Sequence, residues 1–181
     1  MSNPILDPTG RARRAPHGAD APRPRLSSLQ GARIGLLDNT KHNAGLFLER
    51  VAARLRADYG AEVALVEVKR NFSVPLEQEV IDRFAERCDA VIGGVGDCGS
   101  CSAAAVTDGI AFQRAGLPAA VVLTDAFAAT GSTMARLQGM PDYTWVTTGH
   151  PVAVLTPEEV DERARAAVPG IVAALETGAV A

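Results

Sequence analysis

Residues 89–102, DAVIGGVGDCGSCS, constrain the fold of this chain more than any other stretch. Ala90 to Val95 is a run of small and β-branched residues that reads as a buried strand. Gly93, Gly94, Gly96 and Gly99 turn it sharply, since glycine reaches backbone conformations closed to other residues. A Cys-x-x-Cys, Cys98 and Cys101, then opens a helical pattern. Strand, glycine turn and helix in that order make the first half of a βαβ unit.

The rest of the chain repeats this alternation. Residues 33–38 (RIGLLD) form strand one, and 39–43 a polar loop. A helix follows over 44–59, with Leu46, Phe47, Val51 and Leu55 inward and Gly60 closing it. Residues 62–69 are strand two. After a loop over 70–75 comes an amphipathic helix, 77–88, with Val80, Ile81 and Phe84 inward. Strand three is 89–95, and its helix is 102–115, stopped by Gly116. Strand four is 118–123, with an exit loop to 127 and a short helix over 128–139. Strand five is 143–147. In the last helix Thr156 is the N-cap, Pro157 takes the first position and Glu159 completes a capping box. It runs to about Leu175, through Pro169 and Gly170.

Five such units predict a single α/β domain: a doubly wound, mostly parallel five-stranded sheet with helices on both faces. The default strand order is the flavodoxin-like 2-1-3-4-5. This domain covers 31–181. Residues 1–30 carry five prolines, five arginines and no apolar periodicity, which predicts a flexible tail or an arm that clasps a partner subunit.

Composition narrows the function. A chain of 181 residues with net charge −3 offers no basic surface for nucleic acid or an anionic membrane. No run approaches the ~20 apolar residues of a membrane span. Three cysteines, two in one loop, do not make a secreted disulfide framework, so a reducing cytoplasm is expected.

In an open parallel sheet, ligands bind beyond the carboxyl ends of the strands, beside the switch point. Here that point lies between strands one and three. The exits of strands four and five line the same rim. This gathers Asp38, Asn39, Lys41, Asn43, Asp97, Cys98, Cys101, Thr124, Asp125 and His150 at one end of the sheet. A thiol at the first turn of a helix meets unpaired N–H groups and the positive end of the dipole, which favour the thiolate. Cys98 is therefore the better nucleophile, and Cys101 is close enough to form a disulfide or accept a hydrogen bond. The charge of Asp97 opposes ionisation of a neighbouring thiol, unless that carboxylate serves as a base or binds substrate. Asp97 or His150 is expected to move the proton. Asp38, Asn39, Lys41, Asn43, Thr124 and Asp125 are expected to line the substrate's polar end.

Other readings stand beside this one. The two cysteines could simply pack a tight turn. Cys98, Cys101 and His150 could bind zinc, although a second Cys-x-x-Cys is missing. The run GGVGD could meet a nucleotide phosphate, but there is neither G-x-G-x-x-G nor a Walker lysine. No cofactor is expected. Cys88 reads as a buried small hydrophobe.

The segment GVGDCGSCS (94–102) resembles the signature of the UGSC family, named for selenocysteine-Gly-Ser-Cys, with Cys98 at the selenocysteine position. LDNTKHN (37–43), GLPAAVVLTDAF (116–127) and GHP (149–151) are also similar to that family. The resemblance covers roughly 31–175. The family is similar to selenoprotein components of the clostridial glycine, betaine and proline reductases. This implies a Cys98 nucleophile with Cys101 as resolving or supporting thiol. With sulfur in place of selenium, addition–elimination, C–S bond formation and hydration stand beside reductive cleavage. The resemblance also implies a small-molecule substrate and a homo- or hetero-oligomer with a second subunit.

Overall fold

The computed structural model describes residues 24–178. Five strands form one parallel sheet: β1 (Arg33–Asp38), β2 (Glu62–Val68), β3 (Ala90–Gly96), β4 (Ala119–Thr124) and β5 (Val146–Thr148), in the order β2-β1-β3-β4-β5. The helices are α1 (Ala44–Tyr59), α2 (Gln78–Arg87), α3 (Gly99–Arg114), α4 (Ala128–Leu137) and α5 (Pro157–Glu176). The expected order is the observed one.

Burial follows from that order. Strands β3 and β4 lie in the middle and are buried at every position, as unbroken aliphatic runs require in a sheet covered on both faces. On one face α1 and α5 pack together, with Phe47, Val51, Ile171 and Leu175 in a core against Ile34, Ile92 and Val122. On the other, Phe84 of α2 meets Phe112 of α3 edge to face at 5.2 Å. Gly35 of β1 makes room for this pair, because a Cβ there would lie 2.5 Å from the Phe84 ring. Cys88 is buried in the same cluster, and burial pushes its thiol pKa up.

Three boundaries differ from those expected, while α5 keeps its expected span. Helix α3 begins at Gly99, not at 102, because Cys98 is its N-cap and its sulfur accepts the Cys101 N–H at 3.3 Å. Strand β5 loses 143–145, because the Tyr143 N–H closes a turn on the Met140 carbonyl at 2.9 Å. Helix α5 runs unbroken through Pro169, which is exposed, so the Arg165 carbonyl left without its donor faces water. The expected tail ends too late at residue 30. Leu29 is buried, its N–H donates to Glu176 Oε1 at 3.0 Å, and the Leu26 N–H donates to the Leu175 carbonyl at 2.9 Å. The rest of that tail lies outside the described residues.

Candidate functional site

The sheet brings the exits of β1, β3, β4 and β5 to one rim. At its centre, β3 ends at Gly96, and the chain turns through Asp97 and Cys98 into α3. Gly96 is required there, because a Cβ would lie 2.8 Å from Ser102 Oγ and 2.9 Å from Leu123. Cys98 is half-buried at the helix N-terminus, while Cys101, one turn in, is fully buried. The two sulfurs are paired as a disulfide. Cys101 Sγ also receives the Asp97 N–H at 3.2 Å and lies 3.3 Å from the Cys98 carbonyl oxygen.

Asp97 is buried, and its carboxylate is fully engaged. Oδ1 lies 2.8 Å from His150 Nδ1. Oδ2 accepts the N–H groups of Val152 and Ala153, at 3.1 and 2.9 Å. A carboxylate facing Nδ1 assigns the ring's proton to that nitrogen, so the lone pair of the neutral imidazole sits on Nε2. The Thr124 hydroxyl, 3.2 Å from the same Nδ1, donates to the Gly96 carbonyl at 3.3 Å. Asp125 Oδ1 accepts the His150 N–H at 3.0 Å, and Phe127 packs against the ring edge to face at 5.5 Å. His150 is thus held from four sides, with its side chain 37% exposed.

The β1 loop is tied into the same framework. Asn39 is buried, and its amide donates to the Val95 carbonyl at 3.0 Å and accepts the Lys41 N–H at 3.2 Å. Asp38 Oδ1 accepts the Thr40 N–H at 2.7 Å. Asn43, in the left-handed region at φ 68°, donates to the Val152 and Leu155 carbonyls at 3.0 and 2.9 Å. His42 Nδ1 lies 2.6 Å from the Ala153 carbonyl. Lys41 Nζ lies 6.0 Å above the Phe72 ring.

The expected site residues therefore divide into two groups. Cys98, Cys101, Asp97, His150 and Asp125 are brought together around one turn. Asn39, Asn43 and Thr124 spend their polar atoms on the protein itself, and Asn39 and Thr124 are buried, so their role is to hold the loops in place. Lys41 keeps its ammonium at the rim. Among the described residues no group of three or more His, Cys, Asp or Glu is placed to hold a metal ion.

One charged cluster escaped the sequence reading. Lys69, just past β2, reaches Asp108 of α3 at 2.5 Å, and the two side chains are 4% and 2% exposed. Asp108 Oδ1 also accepts the Leu76 N–H at 2.8 Å. The only signals in sequence are a lysine ending an apolar strand and an aspartate in an otherwise apolar helix face.

Comparison with known proteins adds little about chemistry. No curated protein matches the chain. Among solved structures it is similar to a diflavin flavoprotein A3 from Nostoc sp., at 9% identity and a TM-score of 0.42, covering 77% of this chain and 90% of that one. No helix among the described residues is long and apolar enough to cross a membrane. The UGSC family model matches residues 4–177, nearly the whole chain and further toward the N-terminus than the motifs reach, so this protein belongs to the UGSC family.

Proposed function

We propose that this protein is a thiol-dependent enzyme, or the catalytic subunit of one, acting on a small carbonyl or carboxylate metabolite. The observation that carries this reading is the join between two devices. Cys98 caps α3, and the residue before it, Asp97, fixes the His150 ring with Nε2 outward. His150 is then the group that moves a proton, and Asp97 is its positioning residue.

In the first step the Cys98 thiolate adds to a carbonyl carbon. A C–S bond forms, and the C=O π pair moves to oxygen. His150 Nε2 takes the Cys98 thiol proton as the thiolate forms, the N-terminus of α3 favours the negative charge, and the imidazolium then returns that proton to the carbonyl oxygen. Lys41 is the cation at the rim suited to a substrate carboxylate. Where the product leaves reduced, Cys101 attacks the Cys98 sulfur of the adduct. The S–C bond breaks, the carbon departs with the electron pair and a proton, and the disulfide remains. An external dithiol reductant returns the pair to thiols. The Cys98–Cys101 pairing supports this resolving role.

Cys98→Ser tests the reading: turnover is expected to be lost with fold and melting temperature nearly unchanged. Turnover retained in that variant overturns the nucleophile role.

A second reading, a subunit that works only beside another, is favoured by one observation. Val66, Val68 and Val74, on edge strand β2 and the loop after it, are each more than half exposed. Activity that appears only on mixing with a second subunit supports it, and full activity of the purified monomer excludes it.

A further inference from the structure

Ser100 is exposed at the second position of α3, and its Oγ lies 3.7 Å from Cys98 Sγ, within reach of an O–H···S hydrogen bond. A serine at a helix N-terminus ordinarily serves as a cap, its hydroxyl accepting a main-chain N–H. Here the Cys98 sulfur already fills that place by accepting the Cys101 N–H at 3.3 Å. Among the described residues the Ser100 hydroxyl bonds no main-chain group, and its partner is the sulfur.

The surroundings make such a donor matter. The first turn of α3, Gly99 to Ser102, carries no charged side chain. The titratable groups of the turn and its neighbouring loop are Cys101, Asp97 and His150. Asp125, His42 and Lys41 stand further round the rim. Asp97, next to Cys98 in the chain, is a carboxylate, and its charge opposes a thiolate. Against it stand the helix N-terminus and two hydrogen-bond donors, the Cys101 N–H and the Ser100 O–H. A Cβ at Gly99 would meet nothing within 4 Å, so the space beside the sulfur and the hydroxyl is open to a reacting carbonyl.

We propose that Ser100 is a further catalytic residue: its hydroxyl donates to the Cys98 thiolate, and once the sulfur has added to a carbonyl carbon the same O–H turns to the oxyanion. The sulfur loses its charge as the C–S bond forms, and the charge passes to the oxygen on the attached carbon, so the donor follows the charge. Ser100 keeps its own proton throughout. His150 performs the proton transfer, and no atom or electron is added to the balance. The inference rests on the reading of Cys98 as the nucleophile.

The test is the rate at which iodoacetamide alkylates Cys98 in the reduced full-length protein, followed by peptide mass across pH, in wild type, Ser100→Ala and Ser100→Thr. In Ser100→Ala the midpoint of the rate profile is expected to rise by about half to one pH unit, because one donor to a charged acceptor is gone. The plateau above the midpoint is expected to rise about two-fold, since a thiolate that binds its proton more tightly is the stronger nucleophile. The two profiles then cross. A change of access or packing would instead move the rate the same way at every pH. Ser100→Thr keeps the hydroxyl and is expected to follow wild type. A Ser100→Ala profile superimposed on that of wild type, or displaced by one factor at every pH, overturns the proposal, and so does a Ser100→Thr profile that follows Ser100→Ala. The parent reading fails separately, if Cys98→Ser retains turnover.

Discussion

Asp97 and His150 form one unit: Oδ1 faces the ring's Nδ1 at 2.8 Å, while Oδ2 clasps the N–H groups of Val152 and Ala153. The same carboxylate thus sets the tautomer of the histidine and holds the loop that carries it. Asp97→Asn keeps the size but presents an NH₂ where an acceptor is needed. We expect turnover to fall by about 10²–10⁴, the usual worth of a positioned acid–base group. The melting temperature should fall as well, because two main-chain donors lose an ionised acceptor. A variant with unchanged turnover would remove His150 from the mechanism.

The pairing of Cys98 with Cys101 gives a direct mass prediction. Protein denatured without reductant should take up one alkyl group, at Cys88, and three after reduction. Three additions before reduction would show that the pair does not persist as a disulfide in the isolated protein.

The buried pair of Lys69 and Asp108 should be costly to break. Asp108→Ala leaves an ammonium with no counter-charge in a site 4% exposed, and loss of one partner of a buried pair costs about 3–5 kcal/mol. Urea unfolding measures it. Replacing both residues by apolar ones of similar size should cost much less than the single change. If the two cost the same, the pair's charges do not matter to stability.

Gly96→Ala tests the packing of the turn. Its Cβ would enter the space of Ser102 Oγ and Leu123, both below 3 Å, and overpacking of this kind costs about 1–3 kcal/mol. Because Ser102 belongs to the first turns of α3, the reactivity of Cys98 should change along with the stability. Unaltered alkylation kinetics would show that the turn tolerates the methyl group without moving the cysteine.

Stability should also depend on pH at the opposite end of the sheet. Asp89 accepts the Arg33 N–H, Nε and Nη2, and these hydrogen bonds hold its carboxyl pKa below the ordinary value. A lowered folded-state pKa stabilises above the unfolded pKa of about 3.9, and the gain disappears as pH falls through the lower folded value. Asp89→Asn should therefore be less stable than wild type at neutral pH and converge with it in acid. A difference that persists undiminished at low pH would assign the effect to packing.

The architecture was legible because its signals are local. Apolar runs at 33–38, 90–95 and 119–123 alternate with 3.6-residue patterns, and the capping box of Thr156 and Glu159 is present as written. The rim could be assembled from topology alone, since strand ends in an open parallel sheet must gather there. Orientation was less accessible. Nothing in the spacing of Asn39 or Thr124 shows that their polar atoms turn inward to Val95 and Gly96 instead of outward to a ligand. Lys69 and Asp108 are 39 residues apart, and only the fold makes them neighbours. The start of α3 was misplaced because a cysteine is a rare cap, and its sulfur does the work usually given to a serine or aspartate oxygen.

The tie between Asn43 and the Val152 and Leu155 carbonyls has a mechanical consequence. With His42 against Ala153, and with Asp97 grasping 152 and 153 from below, the β1 loop and the entry to α5 are riveted into a single jaw. Slack introduced at Asn43 would therefore pass through residues 152 and 153 to the Asp97 carboxylate, and from it to the turn that carries Cys98.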